Sequence, residues 1–460
     1  MATHLARTCD ATAGSGYSQK WTWSGWVKRA KLGAEQGIMG NQRSDNNTNS
    51  RFKLYFRSTD KLGWECKDSG GSDDSSFETN MLFRDTNAWY HITFIYDSDN
   101  STATERIKCY VNGKDVRTEL GGFSSDNQAS SGFGTLWSSS VVNYLGTSGN
   151  NSGIAMQFEG CMSHCHLTYG QRYEASTFGE TDSTTGEWKI LTGPSVTYGT
   201  QGYFMLKDNA NVTDQSGEGN NFTATGSLTK SEDNPSNVFA TLSPDILPRN
   251  SGETIANANL TFGTSAAIWN TESSAFGITK GKYYFEMKLN DNGTDRRFRY
   301  GLQKMAEVTK TGENKVIGGT DNNAIGYATQ GESATQGSYI INQTATTMSD
   351  GDINVDGAIY GFAIDLDGQK MYGHMNGSWF HSGNPTAGTG AIDVSSFYTV
   401  GEPLFPSFTV HNSTININFG NGYFGTTAVS SAGTNASGNG IFEYDVPAGF
   451  TAISTKGINI

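Results

Sequence analysis

The chain of 460 residues is short of positive charge, proline and cysteine, and each shortage narrows what it can be. Lys and Arg number 32 against 45 Asp and Glu, a net charge of −13, and the basic residues form no run. A phosphate backbone is held by clustered Lys and Arg, so nucleic acid is not an expected partner. No apolar run approaches the ~20 residues of a membrane span, so membrane insertion is not expected. The opening residues, MATHLARTCDATAG, lack the apolar core of a signal peptide. The expectation is a cytoplasmic product that leaves its cell by lysis or inside an assembled particle. The cysteines, Cys9, Cys66, Cys109, Cys161 and Cys165, are odd in number and all in the first half, unlike a disulfide framework. Cys161 and Cys165, four residues apart in an extended segment, are separated by roughly 13 Å, beyond the ~7 Å a disulfide spans. All five are expected as free thiols.

What is abundant points one way. Gly numbers 57, with Ser, Thr and Asn plentiful, and aromatics at 12% argue against disorder. Many short apolar segments between Gly/Asn turns fit an all-β protein of sandwiches, with no helix beyond about two turns. The length predicts two domains, each large enough to bury roughly 70% of its unfolded surface without disulfides.

The stretch 355–379, VDGAIYGFAIDLDGQKMYGHMNGSW, is the clearest local signal. Tyr360, Phe362, Ile364 and Leu366 alternate onto one face of a strand. Asp367-Gly368 is read as the reversal, the return strand as 369–375, and Asn376-Gly377 as a second turn. Such a hairpin needs neighbours on both edges and a second sheet over its apolar face. The first half repeats the pattern at 89–116: Ile92, Phe94 and Tyr96 alternate, then Ile107, Cys109 and Val111, then Asn112-Gly113. Upstream, Trp21 and Trp23 share a face, and short strands are expected at 36–40, 51–56 and 62–67, with a loop over 44–50. In FEGCMSHCHLTYG, simple alternation puts Cys161, Ser163, Cys165 and Leu167 on one face, with His164 and His166 opposite. The segment 202–207 reads as one more strand and 214–221 as a turn. Asp233-Asn234-Pro235 breaks any regular element, giving domains 1–232 and 233–460.

These residues support two resemblances. GKYYFEMKL, YGFAIDLDGQKMYGHMNGSW, LFPSFTV, INFGNGYF and VPAGF, in that order, resemble the strands, closing segments and tail of a SPRY domain, implying a bent β-sandwich. SGWVKRA, FRDTNAWYHITFIYD, RIKCYVNGKDV and FEGCMSHCHL resemble a laminin-G or concanavalin-A-like jelly roll. The pair, with the connectors FGETDSTTGEW and NPSNVFATLSP, is similar to large virion proteins of marine bacteriophages. The resemblance implies a virion location, other virion proteins as partners, and a homo-oligomeric or multicopy arrangement. Both folds host many functions, so function must come from a site.

Catalytic candidates are weak. Glycoside hydrolysis needs two facing carboxylates. The nearest set, Glu180, Asp182 and Glu187, sits in loop-like Gly/Ser/Thr sequence, and Asp365 and Asp367 read as turn formers. The Cys161/His164/Cys165/His166 mixture lacks a matching ligand pair elsewhere for a tetrahedral metal. Sugar binding needs an aromatic face flanked by amides and carboxylates; Trp64, Trp137, Trp269 and Trp379 are the ligand-binding candidates. No cofactor is expected apart from Ca²⁺, which laminin-G domains often hold and for which Asp85, Asp97 and Asp214 are candidates. The expected function is non-catalytic attachment to a host-surface glycan from a tail fibre, appendage or head. The alternatives are a purely structural decoration or assembly protein and, weakest, a polysaccharide hydrolase.

Overall fold

A computed structural model describes residues 3–9, 17–43, 51–68, 70–137, 141–150, 153–208, 211–243, 252–265, 267–291, 297–308, 316–319, 323–329 and 336–458. The expected loop over 44–50 lies outside them. The chain is all-β. Its described α-helices, Val116–Glu119, Met305–Val308 and Thr455–Ile458, are one turn each. It divides into two compact units, Met1–Lys230 and Ser231–Ile460.

The first unit packs an eight-stranded sheet on a six-stranded one. Alternation places Phe52, Leu54 and Trp64 on the inner face of the former and Trp21, Trp23 and Phe94 on that of the latter, and all are buried in one core. Trp64 stacks on Phe94 at 4.3 Å between ring centroids. The hairpin of the six-stranded sheet pairs Tyr90–Asp97 with Ile107–Val111. Asn112 and Gly113 then turn the chain, both at positive φ, 48° and 76°. Residues after Phe178 complete this unit: Tyr203–Met205 pairs with Gly160–Tyr169, and Thr223–Thr225 pairs with His4–Thr8.

The expected face of Gly160–Tyr169 needs correction. Its register on Lys20–Arg29 shifts between Ser163 and His166. His164, at φ 47°, lies in this β-bulge. One inserted residue reverses the alternation. Met162 lies opposite Val27 and Leu167 opposite Trp23, both inward, so Cys161 and Cys165 point to opposite faces. Cys165 is buried in the core and Cys161 half-buried, and all five thiols are free.

The second unit also stacks an eight-stranded sheet on a six-stranded one. The hairpin Ile359–Asp365/Lys370–Met375 has Lys282–Asp291 on one side and the short strands Ser378–Trp379 and Ile392–Asp393 on the other. Tyr360, Phe362, Ile364 and Leu366 join Phe285, Phe298, Tyr300 and Phe408 in the core between the sheets. The reversal is longer than expected. Leu366–Gln369 separates the strands, and the positive φ falls on Gln369 (51°) rather than on Gly368. Asp365 explains this: its Oδ1 accepts the Gly368 N–H at 2.8 Å and closes the turn. Asn376-Gly377 is the two-residue turn expected, at φ 49° and 82°.

A third layer covers the outer face of the hairpin sheet. Phe239, Phe442, Val446, Phe450 and Ala452 pack there on Tyr284, Ala363 and Tyr372. Each buried Phe contributes about 2–3 kcal/mol. The C-terminal tail is therefore part of the sandwich, and it brings 443–448 beside the loop that follows Trp379.

Candidate functional site

A groove of about 710 Å³ lies on this outer face. Trp379 is at one side, the loop with Asn384 and Thr386 forms one wall, and Thr434, Asp445 and Val446 form the other. The size suits a small ligand.

Trp379 is half-buried. His374 and Tyr372 meet it edge to face at 4.7 and 6.5 Å, and Tyr284 is tilted at 6.5 Å. No ring or cation stacks parallel on the indole among the described residues, whereas Trp64 stacks on Phe52 and Phe94. Trp64 and Trp137 are fully buried, and both indole N–H groups are satisfied inside the core, by Ser75 at 3.1 Å and Thr135 at 2.8 Å. They offer no face to a ligand, which corrects the expectation for them. Trp269 is half-buried under the guanidiniums of Arg297 and Arg299, at 5.8 and 5.5 Å.

The wall loop is held in a strained shape. His381 and Ser382 both adopt positive φ, 55° and 52°. Each costs on the order of 1–3 kcal/mol, which surrounding contacts must offset. Asp350 accepts the His381 N–H at 2.9 Å, Asn384 Oδ1 accepts the Ala387 N–H at 3.0 Å, and Lys370 Nζ donates to the Gly388 carbonyl at 3.0 Å. Thr386 Oγ1 accepts the Ala448 N–H at 3.0 Å, tying the two walls together.

The other wall is anchored from behind by Glu286, which is fully buried on Lys282–Asp291. Its Oε1 accepts from Tyr284 Oη and the Tyr444 N–H, both at 2.9 Å. Its Oε2 accepts the Glu443 N–H at 2.9 Å and Asn418 Nδ2 at 3.4 Å. His374 extends this chain. Its Nδ1 accepts the Gly377 N–H at 3.2 Å, so Nε2 carries the proton and donates to Tyr284 Oη at 2.7 Å. The imidazole lies over Gly361, where a Cβ would come within 2.0 Å of Nε2. Burial holds His374 down to about 3, so it is neutral, and pushes Glu286 up to about 7 against the pull of its four donors. Neither reaches solvent; both fix Trp379 and the segment leading to Asp445.

Asp445 is exposed in the groove. Its Oδ1 accepts the Thr434 N–H and hydroxyl at 2.6 and 2.8 Å, which holds the carboxyl below its usual value and ionised. Its Oδ2 has no protein partner among the described residues. The stretches 371–392 and 411–442, which supply most of the walls, contain no Lys, Arg, Asp or Glu. Asn384, Thr386 and Asp445 were not among the sequence candidates. Long uncharged, Asn/Thr/Gly-rich stretches broken by Glu443 and Asp445 are the sequence feature that accompanies them, and it does not single them out.

The remaining candidates serve the fold. Glu180 and Thr181 pair with Lys189 and Trp188 in a hairpin, and Asp182 caps its turn through the Thr184 and Thr185 N–H groups and an ion pair with Lys189. Asp365 pairs with Lys282 at 2.9 Å, and Asp367 accepts the Gly281 N–H at 3.2 Å. Ser24 and His91 are 2.8 Å apart, yet Trp188 Nε1 donates to His91 Nδ1. His91 Nε2 is therefore the protonated nitrogen and faces Ser24 as a donor, so it is not a general base for that hydroxyl. The three Ca²⁺ candidates are each engaged by protein groups. Asp97 is paired with Lys20 and Arg172, Asp85 caps Asn87, and Asp214 accepts four hydrogen bonds from Phe204, Ser216 and Asn220. No group of three or more His, Cys, Asp or Glu suited to a metal occurs among the described residues. A second cleft, about 470 Å³ beside Arg7 and Asn220, is lined by groups engaged with one another.

Residues 7–167 match the family described as the Concanavalin A-like lectin/glucanases superfamily, about a third of the chain. Among solved structures, the TRIM65 PSpry domain is similar at 13% identity, covering 39% of this chain and 89% of its own, with a TM-score of 0.29. Domains LG4-5 of the mouse laminin alpha1 chain are similar at 10% identity, covering 88% and 79%, with a TM-score of 0.27. The native heptameric SAP-like pentraxin of Limulus polyphemus is similar at 16% identity, covering 36% and 69%, with a TM-score of 0.26. No curated protein matches.

Proposed function

We propose that the chain is a non-catalytic bacteriophage virion protein that attaches to a host-surface glycan, with the Trp379 groove as its contact. The carrying observation is the groove itself: a half-exposed indole beside amide and hydroxyl groups on a pre-shaped loop, with a carboxylate on the facing wall. An aromatic face supplies area to the C–H side of a sugar while polar groups take its hydroxyls. The lectin-like match of the first unit is compatible with this role. The virion setting is supported by the sequence resemblance of the connectors, and repeated display on a particle turns weak single sites into firm attachment. The second unit is read as SPRY-like on its strand motifs, most of which fall on strands in the expected order.

Two experiments test the proposal. Immunogold labelling of intact virions should decorate tail, fibre or head; absence of gold, with an antibody that recognises the isolated protein, contradicts the virion setting. Purified protein should be retained on host cells and released by host polysaccharide. Retention on purified virion proteins alone would favour a purely structural part, and new reducing ends released from glucan would favour a hydrolase.

A further inference from the structure

We propose that the Trp379 groove selects uncharged saccharide residues, and that Asp445 is its specificity-determining residue. This rests on the glycan reading above and states which glycans the site accepts and which it rejects. Three observations carry it. Only Asp445 among the described lining residues is charged, and its Oδ2 has no protein partner among the described residues while Oδ1 is held by Thr434. No Lys or Arg among the described residues lines the groove to neutralise a ligand carboxylate, sulfate or phosphate. Lys370, the basic residue closest in sequence to the wall loop, is committed to the Gly388 carbonyl.

A carboxylate accepts hydrogen bonds and cannot donate them, so Oδ2 suits a hydroxyl that gives its proton. The Thr386 hydroxyl, whose oxygen already accepts from Ala448, has its own proton to give to a ring or glycosidic oxygen. A uronate or sulfate ester at the same place meets Asp445 with no cation beside it. Repulsion between like charges a few Å apart, together with the field of a chain of net charge −13, weakens such a ligand roughly tenfold or more.

The test uses the full chain in affinity electrophoresis and calorimetry, with a neutral glucan or galactomannan against a polyuronate or sulfated galactan. Wild-type protein should bind a neutral polymer at least tenfold more tightly than an acidic one of the same backbone. Asp445→Asn keeps the oxygen that Thr434 uses and should narrow that ratio severalfold. Trp379→Ala should lose both ligands. A measurement on wild type alone guards against a variant that folds poorly: raising salt should strengthen residual binding to the acidic polymer and leave neutral binding unchanged. Equal or tighter Trp379-dependent binding of the acidic polymer overturns the specificity and leaves the glycan reading standing. Binding of neither polymer, or binding unaffected by Trp379→Ala, overturns both.

Discussion

The two units share an architecture and place their tryptophans differently. In the first, Trp21, Trp23, Trp64 and Trp137 are fully buried in the core, Trp26 and Trp89 are buried, and Trp188 alone is half-exposed. In the second, tyrosine and phenylalanine fill the same space, and both tryptophans, Trp269 and Trp379, lie half-exposed at the surface. One buried carboxylate from each unit shows a second difference. Asp60 of the first unit is paired with Arg29 and Arg84, both at 3.2 Å. Glu286 of the second has no cation among the described residues and is held by four neutral donors. In one unit the aromatic and polar groups consolidate a core. In the other, a buried polar chain holds a surface groove in shape.

The sharpest way to break this comparison is to cut each feature in turn. Trp64→Ala should cost about 3–5 kcal/mol and unfold the first unit early in denaturant, because stacked rings cannot close the cavity. Asp60→Asn removes the carboxylate charge that faces the Arg29 and Arg84 guanidiniums and should cost about 3 kcal/mol in the same transition. Glu286→Gln places an amide N–H₂ against groups that are all donors, and should cost the second unit about 2–3 kcal/mol. Hydrogen exchange resolved by peptide assigns each loss to its unit. Similar losses in both units from any one variant would contradict the separation.

Acid should separate the units next. Burial lowers His91 to about 3 and His164 to about 4 and takes His166 well below its ordinary value, all in the first unit. Such histidines bind fewer protons folded than unfolded. The stability they contribute is complete above about pH 6.5 and is lost as pH falls, each histidine giving up at most about 1.4 kcal/mol for every pH step of one. The second unit has the same effect from His374. Glu286, raised to about 7, acts oppositely: its folded state favours the proton, so stability grows as pH falls from 7 towards 4.5. Between pH 7 and 4.5 the first unit should lose stability before the second, and Glu286→Gln should narrow the second unit's advantage. Denaturant midpoints at three pH values check this. The smallest stability effect belongs to Trp379→Ala, about 1 kcal/mol or less, although it should abolish ligand binding.

Much of this was legible in the sequence where a local rule operates. Asn112-Gly113 and Asn376-Gly377 gave their turns because few other dipeptides adopt two successive positive φ angles. Alternation located both hairpins. The bulge at His164 was invisible because an inserted residue leaves composition unchanged while reversing every later side chain. At 365–370 the dipeptide was the right signal and the loop length the wrong inference, since the Asp365 side chain closes the turn from outside it. Trp64 was proposed for a ligand although Leu62 and Cys66 share its face; that pattern already described a core strand. Trp379 could be named, but Asn384, Thr386 and Asp445 could not be assigned to it. They converge only through the third layer, which depends on Phe442 and Phe450 docking far along the chain.

The most direct test of the central claim is an ¹⁵N-indole NMR titration of the full chain with a neutral oligosaccharide, with the Trp379 resonance assigned through Trp379→Phe. The account predicts that the Trp379 signal moves in a saturable way while the core signals of Trp64 and Trp137 stay fixed. A saturable shift elsewhere with Trp379 unmoved, or no shift at any indole with a ligand shown to bind, would contradict it.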